Sequence, residues 1–248
     1  MTKGTIFLFA VYCIMLLAGC QPQGGAPEYK AGDPQSLAAS LLYEMGGDSL
    51  WASRNSLYLR TQMNEKGMSE TFVSEEWRDL NAFKLRIEQQ GKSFHTIGYF
   101  SQPGGWLELV GQDSVYQLTD GELVAWWLDH ERNFYRILHR LASGDTELSL
   151  ESSAPHQLDC LEDGVKLCSF ILDEDRKPAT FLIWPLDAEE PISMHFSAWG
   201  SLPNGMVYPM QGARADSAFS FNMLVWEPAV GIYEAAFEDA PYTWDGLQ

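Results

Sequence analysis

Clusters of turn-forming residues divide the middle of the chain into strand-sized pieces. This punctuation narrows the folds open to the sequence more than any other feature. Asn64-Glu65-Lys66-Gly67, Gln90-Gly91, Pro103-Gly104-Gly105, Gly111-Gln112-Asp113, Asp120-Gly121 and Asp129-His130-Glu131-Arg132-Asn133 carry the glycine, asparagine or aspartate that a tight reversal needs. Between such clusters apolar and polar residues alternate. Leu57, Leu59, Thr61 and Met63 oppose Ser56, Tyr58, Arg60 and Gln62, and Phe83, Leu85 and Ile87 oppose Lys84, Arg86 and Glu88. A period of two is that of a strand with one buried face. Further strands are predicted near Ser93 to Phe100, Trp106 to Val110, Val115 to Leu118, Leu123 to Leu128 and Phe134 to Leu138. After a less regular stretch from Leu141 to Ala154 they resume at His156 to Cys160, Val165 to Leu172, Ala179 to Trp184, Ser193 to Trp199, Ala218 to Trp226 and Gly231 to Phe237. The expected class is mainly β, an antiparallel meander in one domain.

The N-terminus has a different character. Lys3 precedes an unbroken apolar run from Ile6 to Leu17, and Leu17-Ala18-Gly19-Cys20 follows. The pattern is that of a processing signal. Its ending resembles a bacterial lipobox, which implies removal of residues 1–19, a diacylglyceryl group on the Cys20 thiol and acylation of the new amino terminus. An ordinary secretory peptide or a short anchor helix is the other reading. In enterobacterial sorting an Asp after the lipidated Cys retains a lipoprotein in the inner membrane, so Gln21 points to the outer membrane, facing the periplasm. Residues 20–33, with Pro22, Gly24, Gly25, Pro27 and Gly32, read as a flexible linker, and residues 34–248 as the folded domain.

That domain opens with a helix. Asp33-Pro34 supplies an N-cap and a proline at the first helical position, Leu37, Leu41, Leu42 and Met45 share a face, and Gly46-Gly47 ends it. Asp48 to Trp51 predicts one more helical turn. Two expected strands, Leu123-Val124-Ala125-Trp126-Trp127-Leu128 and Phe181-Leu182-Ile183-Trp184, are apolar on both faces, so something covers their second face. A three-turn helix is too short to cover ten or more strands. An apolar space beneath it has Trp77, Phe94, Tyr99, Trp106 and Trp126 as candidate lining, together with Trp127, Trp184, Phe196, Trp199 and Trp226. A solid aromatic core is the alternative reading of the same ten residues.

Loss of the leader and lipidation of Cys20 leave two thiols, Cys160 and Cys168, flanking a hairpin turn at Asp163-Gly164. In an exported protein they are expected to form a disulfide. A metal site that also uses His156 is the alternative. No nucleophile elbow, zinc-protease helix, phosphate-cradling glycine loop or C-x-x-C pair occurs, so neither catalytic residue nor cofactor is expected. Asp129 to Arg132 reads as a solvated strand connection, and Asp173-Glu174-Asp175 as a solvated turn. A net charge of −18 repels phosphate backbones and anionic headgroups, which argues against nucleic-acid binding and electrostatic membrane docking.

The stretch from Gly98 to Leu109, with Pro103-Gly104-Gly105-Trp106, followed by Tyr116 to Asp129, with Asp120-Gly121 and Trp126, resembles the LolA/LolB/RseB-like superfamily of periplasmic lipoprotein carriers and receptors. Asp173 to Ile183 and the strands after Pro203 fit the same layout. The resemblance implies a single highly curved antiparallel half-barrel with helices over a concave, hydrophobic face that binds lipid or lipoprotein acyl chains. The expectation is thus a non-catalytic, membrane-anchored envelope lipoprotein with a hydrophobic ligand between sheet and helix. A sensor lipoprotein that docks another envelope protein is the second expectation.

Overall fold

The structure, a computed structural model, describes residues 25–231 apart from 103, 113 and 186–189, together with residue 237. The leader, Cys20 and most of the strand expected over 231–237 lie outside the described residues.

Among the described residues thirteen antiparallel strands form one sheet, as the alternation predicts. In chain order they are β1 Ser56–Glu65, β2 Phe72–Asp79, β3 Lys84–Gln90, β4 His95–Ser101, β5 Gly105–Leu109, β6 Ser114–Gln117, β7 Leu148–Ala154, β8 Gln157–Glu162, β9 Val165–Leu172, β10 Pro178–Ile183, β11 Ile192–Ser201, β12 Val207–Arg214 and β13 Phe219–Ala229. The helices among the described residues are α1 Pro34–Glu44, α2 Asp48–Ala52, α3 Asp120–Glu131 and α4 Phe134–Ser143. Strands β1–β6 form one meander and β7–β13 another, joined along a single seam between β1 and β13. Strand β6 is at one edge and β7 at the other, so the segment joining them, which holds α3 and α4, crosses the whole sheet.

Residues paired across strands share a face. The row Leu57, Arg78, Leu85, Phe100 and the row Leu158, Phe170, Phe181, Met194 are both buried, and the helices pack on this face. Helix α1 forms as expected: the Asp33 carboxylate accepts from the Gln35 and Ser36 amides, and Leu37, Ala38, Leu41 and Leu42 are buried. Burying each leucine contributes roughly 1.5–3 kcal/mol. Gly46 ends the helix with φ +108°, and a Cβ there would meet the Met206 Cα at 2.7 Å. The end of the expected linker is docked: the Gly32 amide donates to the Pro155 carbonyl, and Tyr29 stacks on His156 at 5.9 Å.

Three expectations are corrected. Leu123–Leu128 and Phe134–Leu138 are helical, within α3 and α4. The reason lies in their caps. Thr119 and Glu122 form a reciprocal capping box around Asp120-Gly121, and the Asn133 side chain accepts from the Tyr135 and Arg136 amides. Of the two strands read as apolar on both faces, one is therefore a helix with Leu123 and Trp126 turned to the sheet and Val124 and Trp127 exposed. Finally, His130, Glu131 and Arg132 are buried rather than solvated, because the α3–α4 corner lies against the sheet.

Candidate functional site

The α3–α4 corner roofs a cavity of about 350 Å³. Asn133 starts α4 directly after Arg132 caps α3, which points Phe134 and Tyr135 down at the sheet. Phe134 meets Phe181 edge-on at 5.4 Å, Phe196 at 5.2 Å and Phe170 at 5.8 Å. The floor comes from β10 to β13: Phe181 and Ile183, Ile192 and Met194, Phe196, Pro209, and Phe219 and Phe221. Polar groups at the cavity are Asp129, Arg132, Asn133 and Arg214, the last held by Asp216 at 2.8 Å. An apolar wall with a few polar groups is the usual composition of a small-molecule site.

The ten aromatic residues singled out from the sequence do not converge on this cavity. Phe196 lines it. Trp199 packs on Phe196 at 5.4 Å, and Trp226 lies in the solid core between Trp51 at 5.9 Å and Tyr208 at 4.7 Å. Trp126 stacks on Phe100 at 3.9 Å beneath α3, whereas Trp127 is on the solvent side of that helix. Phe94 packs on Phe72 at the β3–β4 turn. Four residues occupy the opposite face of the sheet. Trp77, Tyr99 and Trp106 form a ladder there with Tyr58 and Arg86, partly covered by Phe237, and Trp184 donates to the Ser169 hydroxyl at 3.1 Å beneath the Lys166 ammonium. The sequence thus holds a cavity and a solid core side by side, with the core at Trp51 and Trp226.

Ionic groups, among them the His130 and Glu131 expected to be solvated, fasten the roof. The fully buried Arg78 donates to the His130 Nδ1 at 2.8 Å and to the Glu76 carboxylate at 2.7 Å. Arg140 binds Glu131 at 3.1 Å, Asp145 at 2.7 Å and Glu162 at 2.6 Å. The signal available for this set was the pair Arg136 and Arg140, four residues apart and so on one face of a helix.

Cys160 and Cys168 are cross-strand partners on β8 and β9, fully buried, and carried as thiols. The turn between them has φ +50° at Asp163 and +77° at Gly164, the geometry expected of an Asp-Gly hairpin. Burial and the neighbouring Cys160 push the Cys168 thiol well above its ordinary range. His156 is engaged by Tyr29, and among the described residues no group of three His, Cys, Asp or Glu is placed to hold a metal ion.

No family model matches the chain, and no curated protein matches it in sequence. Among solved structures it is similar to a proposed outer membrane lipoprotein-sorting protein domain from Vibrio parahaemolyticus, at 10% identity and a TM-score of 0.46, over 83% of this chain and 96% of that one. A DUF1329 family protein from Desulfovibrio piger is similar at 11% identity and 0.42, over 84% and 98%. A conserved protein from Thermus thermophilus follows at 8% identity and 0.39, over 84% and 94%.

Proposed function

We propose that this chain is a non-catalytic envelope lipoprotein, anchored through Cys20, that holds a hydrophobic ligand between the α3–α4 roof and the sheet. The observation that carries the reading is the phenylalanine-lined cavity at the Asn133 corner. Its size is near the low end of the roughly 300–1,000 Å³ of small-molecule sites, so it suits one acyl chain rather than several. Burial of apolar surface drives binding, at about 25 cal/mol per Å² before ordering costs. Acyl chains on Cys20 would hold the acidic domain at a bilayer that its own charge repels. The experiment is organic extraction of the purified full-length protein followed by mass spectrometry, alongside displacement of a fluorescent fatty acid. Co-purifying lipid and displacement are expected; absence of both would remove the reading.

A second reading, docking of another envelope protein, is favoured by one feature. Val124 is 52% and Trp127 37% exposed on the outer side of α3, and with Phe83 they border a groove of about 200 Å³. A stoichiometric partner captured by the wild type but not by Trp127→Glu would favour it.

A further inference from the structure

Of the two arginines at the α3–α4 cavity, Arg132 is set apart by its lack of partners. It is 6% exposed, and its Nε and Nη2 are shut off from solvent with no hydrogen-bond partner. Those two nitrogens form one edge of the guanidinium, the parallel pair of N–H donors that receives both oxygens of a carboxylate. Every other arginine in the roof is engaged: Arg136 by Glu131 and the Leu80 carbonyl, and Arg140 by three carboxylates. Arg214, across the cavity, is held by Asp216. Asp129, one turn before Arg132 and at the same cavity, is exposed, and no ion pair joins the two among the described residues. Burial pulls the Arg132 guanidinium below its usual pKa, and the field of Asp129 offsets part of that. A buried, unpaired cation is unfavourable for the fold, so a partner that completes it is strongly favoured.

We infer that Arg132 receives the carboxylate of a single-chain fatty acid whose alkyl tail lies against Phe134, Phe181, Phe196 and Phe221. This rests on the reading of the cavity as a hydrophobic-ligand site and specifies its ligand class. The volume, about 350 Å³ and so near the low end for a small-molecule site, supports one chain rather than several. The guanidinium turns from its covered position into the cavity it borders, and two charge-assisted hydrogen bonds replace two unmade ones.

The test is calorimetric titration of the full-length chain in nanodiscs, with protein-free discs as the blank, using decanoate and 1-decanol. The two probes share a tail and differ in charge. Decanoate is expected to bind about ten- to a hundredfold more tightly. In Arg132→Met that ratio is expected to collapse towards one, with the melting temperature unchanged or raised because an unpaired buried cation has been removed. Equal binding of both probes to the wild type overturns the head-group assignment and leaves the hydrophobic site standing. Binding of neither overturns the site itself. A clear fall in the melting temperature of Arg132→Met would make Arg132 a structural cation and also overturn the assignment, and the wild-type comparison does not depend on that variant folding.

Discussion

His130 shows how much a single buried group can control. Its Nδ1 accepts from Arg78, which places the proton of the neutral ring on Nε2, and that atom has no partner. Burial first, and the Arg78 and Arg136 guanidinium groups second, push its pKa down to about 2. Between that value and the ordinary 6.5 the unfolded chain binds a proton that the folded chain refuses. Stability is therefore expected to rise with pH across that window, by about 1.4 kcal/mol per pH unit from this residue, and to level off above 6.5. His139, which burial also holds low, acts in the same direction. Urea denaturation between pH 5 and 8 checks this: His130→Gln, which keeps an acceptor for Arg78, should flatten the slope, and an unchanged slope would exclude His130 as its source. In sequence, Asp129-His130-Glu131-Arg132 reads as a wet loop because charge density is all that a window of residues shows. Whether the far side of a sheet lies beneath it is not a local property.

At the level of elements, strand period was readable and strand neighbours were not. The expected strands over Ser56 to Met63, Val165 to Leu172 and Ser193 to Trp199 match β1, β9 and β11 because one buried face imposes a period of two. Strand β2 was missed because its buried face carries, after Phe72, the polar residues Ser74, Glu76 and Arg78, of which Arg78 reaches His130 on α3. Helix α3 was mistaken for a strand because Asp120-Gly121 is also the strongest hairpin signal, while the decisive pair, Thr119 and Glu122, straddles it. Thr119→Ala is accordingly expected to cost about 1 kcal/mol in thermal or chemical unfolding. The β8–β9 hairpin gives a redox counterpart. If the chain is exported, as proposed, the cross-strand thiols of Cys160 and Cys168 should oxidise, so thiol titration in denaturant after periplasmic expression is expected to find neither free. Relative to the oxidised protein, Cys160→Ala with Cys168→Ala should lose roughly 2–3 kcal/mol. Two titratable thiols would leave the pair as buried hydrophobes.

For the whole molecule the β1–β13 seam decides whether two meanders behave as one body. Its two strands are separated by most of the chain, so nothing local announces their pairing, and the ends of the domain are brought together only when both halves are formed. The aromatic residues illustrate the same limit on sequence reading. Their types mark a large apolar load, but the face each one takes depends on registers and on bulges at Arg60/Thr61 and Phe196/Ala198, which no single strand reveals. What unites the halves is a core drawn from both: Leu57 and Leu59 on β1, Trp226 on β13, Trp51 on α2 and Tyr135 on α4. Leu59 lies opposite Trp226 in the seam, and Trp226 touches Trp51, Tyr135 and Tyr208 at 5.9, 6.1 and 4.7 Å. The roof is also fixed to this core, since the segment carrying α3 and α4 starts at one edge of the sheet and ends at the other. Disrupting the seam should thus loosen the helices over the cavity as well as the strands beneath them. Trp226→Ala is expected to cost about 3–5 kcal/mol. It should lower one calorimetric transition for the entire domain and weaken fatty-acid binding at a site it does not line. If two transitions appear instead, with the β7–β13 half and its cavity unaffected, the halves are independent and the seam is only a contact between them.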